Sequence, residues 1–389
     1  MLLNKNKIYH INSYSPGQLP WIRENQDRSY VNNKQFDNAD YWIIQFSDIN
    51  SFLVYPIEIL VPEEFLKRVK NRDAYLILDN AYESFFTVID GVYEYVVKKY
   101  NIPPEQIIVS SCNYDLVNYM REYATKTGQP ELKVEYFNYY EWLTYNYYMD
   151  LRQQWIDTLE IKEYPKKFLF LNRRWRAHRT AMLALIFDQG LAGQGNISFK
   201  QADDNPDWHS AVLTASSHYR DTEIVEVLRR QSDNIKNSFP LDVDNLILDT
   251  HNDQTMMFSK HMDTYYKDTY FSIVTETNSD RFADGRFITE KTFKPIALRH
   301  PFLICGADKT LEALRHIGYK TFSGLIDESY DLEPIEAKRF QMVAAEANRL
   351  SNLNSSELEH FLTEAKKICW DNYVTFRNHG QYVWKMNYQ

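Results

Sequence analysis

Short apolar runs alternate with helical patterns, at a similar spacing, through both halves of this chain, and that alternation constrains the fold most. Residues 41–46, 51–55, 74–79, 106–110 and 132–137 read as strands. Residues 86–100, with Val88, Val92, Tyr95 and Val96 on one face, and residues 116–125 read as helices between them. Strand and helix in this order predict a parallel sheet with crossover helices, the α/β class. The second half repeats the grammar. Residues 167–171, 246–248, 270–275, 302–304 and 319–321 read as strands. Residues 177–189, a segment opening at Glu290, and residues 311–316, 333–351 and 356–384 read as helices, the first of them stopped by Gly190. A chain of 389 residues exceeds one ordinary core. Charge, tyrosine and proline interrupt the pattern at 160–165, so the expected domains are 1–160 and 161–389.

Composition narrows the class. Hydrophobic residues at 44% and charged residues at 25% describe a globular chain rather than a disordered one. A net charge of −9 argues against nucleic acid as the main partner, because a grip on a phosphate backbone needs a basic face. Cys112, Cys305 and Cys369 are too sparse for a disulfide framework or a zinc site. Cys305 ends an apolar run and reads as core. The histidines show no metal-ligand spacing, and His178 and His300 read as packing or polar contacts. Gly193 and Gly195 lack the third glycine of a dinucleotide fingerprint and read as a turn. The first residues hold no signal-peptide run, and no window has the length of a membrane-spanning helix. A cytoplasmic protein without a membrane span is the expectation.

Chemistry gathers in residues 287–296, where Thr289, Glu290, Lys291 and Lys294 crowd a predicted helix start just before an apolar run at 300–304. A helix start offers free N–H groups and a positive dipole end, which suit phosphate oxygens. A carboxylate beside two lysines can grip sugar hydroxyls and phosphates together. A second basic group, Arg173, Arg174 and Arg176 with Arg179, falls at the strand-to-helix turn after residues 167–171. Ligands of open α/β sheets sit outside the carboxyl ends of strands, and the arginine fork matches phosphate. Cations at a helix start are disfavoured by the dipole, so this cluster calls for an anion. Residues 272–277 lead a strand into Glu276, and the polar loop 278–286 that follows reads as substrate-touching.

Glu290 and Lys291, the short helix and the apolar run that follows resemble the donor-binding motif of GT-B glycosyltransferases. The likeness is nearest to the alpha-1,3-fucosyltransferase-like group and to phage-type glycosyltransferases. It covers residues 167–339, less than half the chain, and includes the stretches 318–322 and 326–331. It implies two Rossmann-like domains with mainly parallel sheets facing a cleft: an acceptor side first, a donor side second, and late helices that cross back. The implied activity is transfer of a hexose or pentose from a nucleoside diphosphate sugar to a hydroxyl acceptor. The acceptor is a glycan or a modified nucleobase, and the acidic net charge favours the glycan.

By position, Glu290 would bind the ribose and Lys291 would lie near the diphosphate. Arg173, with Arg174 and Arg176 as substitutes, would neutralise the leaving group. Thr289 and Lys294 complete the donor set, and Glu276 would lie near the transferred sugar. An inverting enzyme also needs a base. Asp79 and Glu83 are the candidates in the first domain, with Asp48 third, although acids at strand ends also cap helices. A retaining enzyme would need no such base. The scheme requires no metal and no cofactor besides the donor substrate. Asp242 and Asp244 form a D-x-D triplet, the alternative manganese site. The alternative function is a non-catalytic sugar- or nucleotide-binding protein with the same cleft.

Overall fold

The computed structural model describes residues 8–12, 40–46, 57–81, 86–150, 163–199, 207–220, 222–241, 243, 263–281 and 285–388. The chain divides into two compact units, Met1–Tyr139 with Tyr382–Gln389, and Tyr140–Gln381. Each contains a parallel sheet, so the α/β class holds.

The first sheet carries β1 (Ile8–Asn12), β2 (Tyr41–Gln45), β3 (Tyr75–Asn80), β4 (Ile107–Ser111) and β5 (Lys133–Tyr136), side by side in chain order. Between them lie α1 (Ile57–Leu60), α2 (Glu63–Lys70), α3 (Val88–Val92), which runs on as a π-helical segment Tyr93–Lys98, and α4 (Leu116–Thr127). Right-handed crossovers that always step the same way put their helices on one face. The core is accordingly one-sided. Trp42, Ile44, Leu76, Leu78, Ile107 and Val109 pack with Leu66, Val69, Val88 and Val92. The opposite face holds a small group, Tyr41, Ile77 and Ile108, flanked by Ile43 and Tyr75. Among the described strands the order does not reverse, so they make no topological switch point. The expected strand at 51–55 and Asp48 lie outside the described residues.

The second unit is wound differently. Its strands β6 (Phe168–Asn172), β7 (Gly195–Phe199), β8 (Phe271–Thr275) and β9 (Phe302–Cys305) stand in the order β7-β6-β8-β9. Its helices are α5 (Tyr139–Asp150) from Tyr140 onward, α6 (Ala177–Asp188), α7 (Trp208–His218), α8 (Glu223–Asn237), α9 (Glu290–Ala297), α10 (Thr310–His316), α11 (Glu336–Ser351) and α12 (Ser355–Tyr388), whose residues from Tyr382 belong to the first unit. From β6 the chain steps outward to β7, then returns past β6 to β8. The direction reverses between β6 and β8, which defines the switch point where open α/β sheets bind ligands. Every residue of β7, β8 and β9 is buried, as a parallel sheet covered on both faces requires.

Residues 319–321 correct one expectation: they form a loop, not a strand. Asn372 on α12 takes the place of a neighbouring strand. Its Oδ1 accepts from the Lys320 amide at 2.8 Å, and its Nδ2 donates to the Lys320 carbonyl at 2.9 Å. The expected strand at 246–248 lies outside the described residues.

Both singled-out histidines are buried polar contacts. His300 sits between Ser272, whose hydroxyl lies 2.9 Å from Nδ1, and the Thr269 carbonyl, 2.9 Å from Nε2. The Thr269 carbonyl can only accept, so Nε2 donates to it. Burial pushes the His300 pKa down to about 4, against the hydrogen bonds to Thr269 and Pro301. Burial, with the charge of Arg179, likewise holds His178 well below the usual range. A folded pKa below the unfolded one means stability present above about pH 6.5 and lost as pH falls towards 4. Acidification from pH 7 to 5 should therefore cost about 2 kcal/mol through His300 alone. Urea unfolding at the two pH values measures this, and His300→Gln should shrink the difference.

Candidate functional site

The carboxyl ends of β6 and β8 meet at the switch point. The Thr275 hydroxyl donates to Asn172 Oδ1 across them. After Asn172, Arg173 and Arg174 are exposed while Trp175 turns inward, stacking on Phe199 and Phe239 at 5.6 and 5.7 Å. That buried indole fixes the turn, and Arg176 follows as the residue preceding the first turn of α6. Arg176 Nη1 donates to the Thr277 carbonyl at 2.9 Å. His178 Nε2 donates to the Glu276 carbonyl at 2.9 Å, and Arg179 Nη2 reaches the same oxygen at 3.4 Å. The exit of β8 is thus laced to the start of α6. Arg179 is buried. Burial, then the neighbouring Arg176, pushes its pKa down to about 10, while Glu290 and Glu276 oppose the shift. Its Nε has no hydrogen-bond partner among the described residues.

Glu276 ties in a third element. Its side chain is 1% exposed. Oε1 accepts from the Thr289 amide at 3.0 Å and the Thr292 hydroxyl at 2.6 Å. Oε2 accepts from the Thr289 hydroxyl at 2.6 Å and the Thr277 amide at 3.2 Å. The start of α9 is therefore occupied by the protein's own carboxylate. The Thr289 hydroxyl also accepts from the Lys291 amide at 3.4 Å, as a capping residue does. Phosphate would meet side-chain cations here rather than open helix amides.

Lys291 gathers the remaining groups. Its ammonium donates to Glu290 Oε1 at 2.9 Å and to the hydroxyls of Thr277 and Thr289, each at 3.2 Å. Burial alone would raise the Glu290 carboxyl, but Lys291 and Lys294 outweigh it and hold that group below the usual range. Lys294, one turn further along α9, is shifted down by burial and Lys291, against the pull of Glu290 and Asp263.

Arg176, Glu276, Thr289, Glu290 and Lys291 thus come together in one hydrogen-bonded group, with Arg173 and Arg174 on the adjoining turn. Thr277 joins them through its amide, carbonyl and hydroxyl, and the motif reading missed it. Its only sequence signal was its place one residue beyond Glu276. Arg179 was legible as the residue three positions from Arg176, on the same helix face. The first residues after Thr277 are anchored: Asn278 and Ser279 are buried, and Arg339 Nη2 donates to the Ser279 carbonyl at 2.7 Å. Asp79 lies near the end of β3 in the first unit, where its Oδ1 accepts from the Ala81 amide at 3.2 Å. Glu83, Asp242 and Asp244 lie outside the described residues. Among the described residues no group of His, Cys, Asp and Glu could hold a metal ion, and no helix is long and apolar enough to cross a membrane.

Chemically, the switch point combines an excess of cationic side chains with a buried acceptor at Glu290. Such a site can neutralise an anion and accept from a neighbouring hydroxyl. Compared with family models, curated proteins and solved structures, the chain matches none.

Proposed function

We propose that the second unit binds a nucleoside diphosphate sugar at its switch point and that the protein transfers the sugar to a hydroxyl acceptor. One observation carries this reading: Arg176 from the β6–α6 turn and Lys291 from α9 are both bonded to Thr277 at the end of β8, beside Glu290. In this reading Glu290 accepts from the ribose hydroxyls. Lys291 and Arg176 face the diphosphate, with Arg173, Arg174 and Lys294 adding to the positive potential. During transfer the acceptor oxygen bonds to the anomeric carbon while the bond from that carbon to the diphosphate breaks. The departing oxygen keeps the electron pair, and the cations stabilise its charge. In an inverting enzyme the acceptor proton passes to a base, for which Asp79 and Glu83 of the first unit stand as candidates. The acidic net charge favours a glycan acceptor over a nucleobase.

A binding function without transfer is favoured by one feature, the engagement of both Glu276 oxygens in holding α9. In that reading the Glu276 carboxylate serves to hold the fold. Release of nucleoside diphosphate from a panel of nucleotide sugars, with and without acceptor glycans, separates the readings. Release should occur with at least one donor and persist in a chelator, since the side-chain cations neutralise the leaving group. Complete loss in chelator with recovery on manganese would move the chemistry to Asp242 and Asp244. Tight nucleotide binding with no release from any donor would favour the binding function.

A further inference from the structure

Among the described acids of the switch point, Glu276 has its carboxylate saturated by uncharged donors. Those donors come from different places: Thr277 from the end of β8, Thr289 and Thr292 from the start of α9. Two of the site's cations depend on the same residues. Arg176 donates to the Thr277 carbonyl, and Lys291 donates to the hydroxyls of Thr277 and Thr289. Glu276 Oε2 holds both the Thr277 amide and the Thr289 hydroxyl. Glu276 thus holds the Thr277 and Thr289 groups to which Arg176 and Lys291 are bonded, without itself hydrogen-bonding either cation.

We infer that Glu276 is a positioning residue: it fixes the spacing of Arg176 and Lys291 so that the two cations bracket a diphosphate rather than a single phosphate. A buried carboxylate holding four donors keeps them in place more firmly than a neutral acceptor, because charge-assisted bonds are shorter and stronger. Two phosphates joined by one bridging oxygen need two cations at a set separation. A monophosphate can be satisfied by either cation alone.

The inference rests on the reading of this site as a nucleotide site, and the test keeps the two apart. Uridine, guanosine, cytidine and adenosine mono- and diphosphates would be titrated calorimetrically into the whole protein. The variants are Arg176→Ala, Lys291→Ala, Glu276→Gln and Thr289→Val. Arg176→Ala and Lys291→Ala should each weaken the best diphosphate by roughly tenfold or more, the effect of one charge-assisted contact. If neither does, the nucleotide reading itself fails. Glu276→Gln should weaken the diphosphate about tenfold and the monophosphate little, shrinking the preference between them. Its effect should largely vanish in the Lys291→Ala background, because coupled residues are not additive. A purely structural role would lower the melting temperature and leave both the preference and the additivity unchanged, and that result would overturn the inference. Should Glu276→Gln not fold, Thr289→Val removes only the hydroxyl shared by Glu276 and Lys291. It should reproduce the lost preference. An intact preference in that variant would count equally against the assignment.

Discussion

Arg339→Ala should be among the most damaging single substitutions in the second unit, costing about 3 kcal/mol or more, the scale of losing several charge-assisted hydrogen bonds and opening a void at a buried position. The guanidinium is 2% exposed. It donates through Nε to the Gly306 carbonyl at 3.0 Å, through Nη1 to Glu333 at 2.6 Å and through Nη2 to Ser279 at 2.7 Å. These carbonyls lie beyond β8, beyond β9 and just ahead of α11, so one side chain closes three segments at the carboxyl edge of the sheet. Alanine leaves the carbonyls without that donor and opens a void beside Phe340, over whose ring the guanidinium lies at 5.7 Å. Burial holds the Arg339 pKa below its usual value, with Glu336 and Asp308 opposing the shift, so part of the gain from its bonds is offset by desolvation. For a unit of this size a 3 kcal/mol loss lowers the melting temperature by roughly 6–12 °C. Arg339→Lys keeps the charge but not the three-way fork and should fall between. An alanine variant that melts with the wild type would show that the clamp is dispensable. Because the Ser279 carbonyl lies two residues beyond Thr277, nucleotide affinity should weaken along with stability.

The parts of the fold legible in the sequence were those whose pattern was set by local burial. The runs that became β3, β4, β6, β8 and β9 are apolar because their sheets bury them, and the helices between begin and stop on local signals such as Gly190, whose φ is +69°. The strand β7 has no apolar run to mark it, since Gly195–Phe199 opens on a glycine packed under the Phe168 ring and carries the polar Asn196 and Ser198. Helices α7 and α8 were passed over as well, although α8 carries a clear apolar stripe of Ile224, Val227, Leu228 and Ile235. Residues 319–321 look like a strand because Tyr319 and Phe322 are buried, yet a side chain from α12 completes their backbone bonding, and such a partner leaves no local trace.

The site was legible as residue types and not as roles. Thr289, Glu290 and Lys291 could be picked out at a helix start, and the arginines at a strand-to-helix turn. The helix start looked like an open anion site because local sequence cannot reveal that Glu276, from a separate strand, fills it. The resemblance points by position to Arg173, with Arg174 and Arg176 as substitutes, whereas Arg176 is bonded to the exit of β8. Only the strand order, β7-β6-β8-β9, brings those two places together, and strand order is a property of the whole chain.

The double variant Arg176→Ala/Lys291→Ala should nearly abolish nucleoside diphosphate binding. Each change removes a charge-assisted contact of about 1.5–3 kcal/mol, or roughly tenfold to a hundredfold in affinity. Both residues are held by Thr277, so the combined loss should differ from the sum. The loss should be confined to phosphate-bearing ligands, and the wild-type affinity should fall with added salt, because Arg176 is exposed and Lys291 is only partly buried. Lys291→Ala also takes from Glu290, 5% exposed, the ammonium that is hydrogen-bonded to it, so folding must be followed by circular dichroism in parallel. The deciding measurement is calorimetric titration of the wild type and the double variant with the tightest-binding nucleoside diphosphate. The account predicts saturable binding by the wild type and at least about a hundredfold weaker binding by the folded double variant. Equal affinity in the two proteins, or no binding of any nucleoside diphosphate by the wild type, would contradict it.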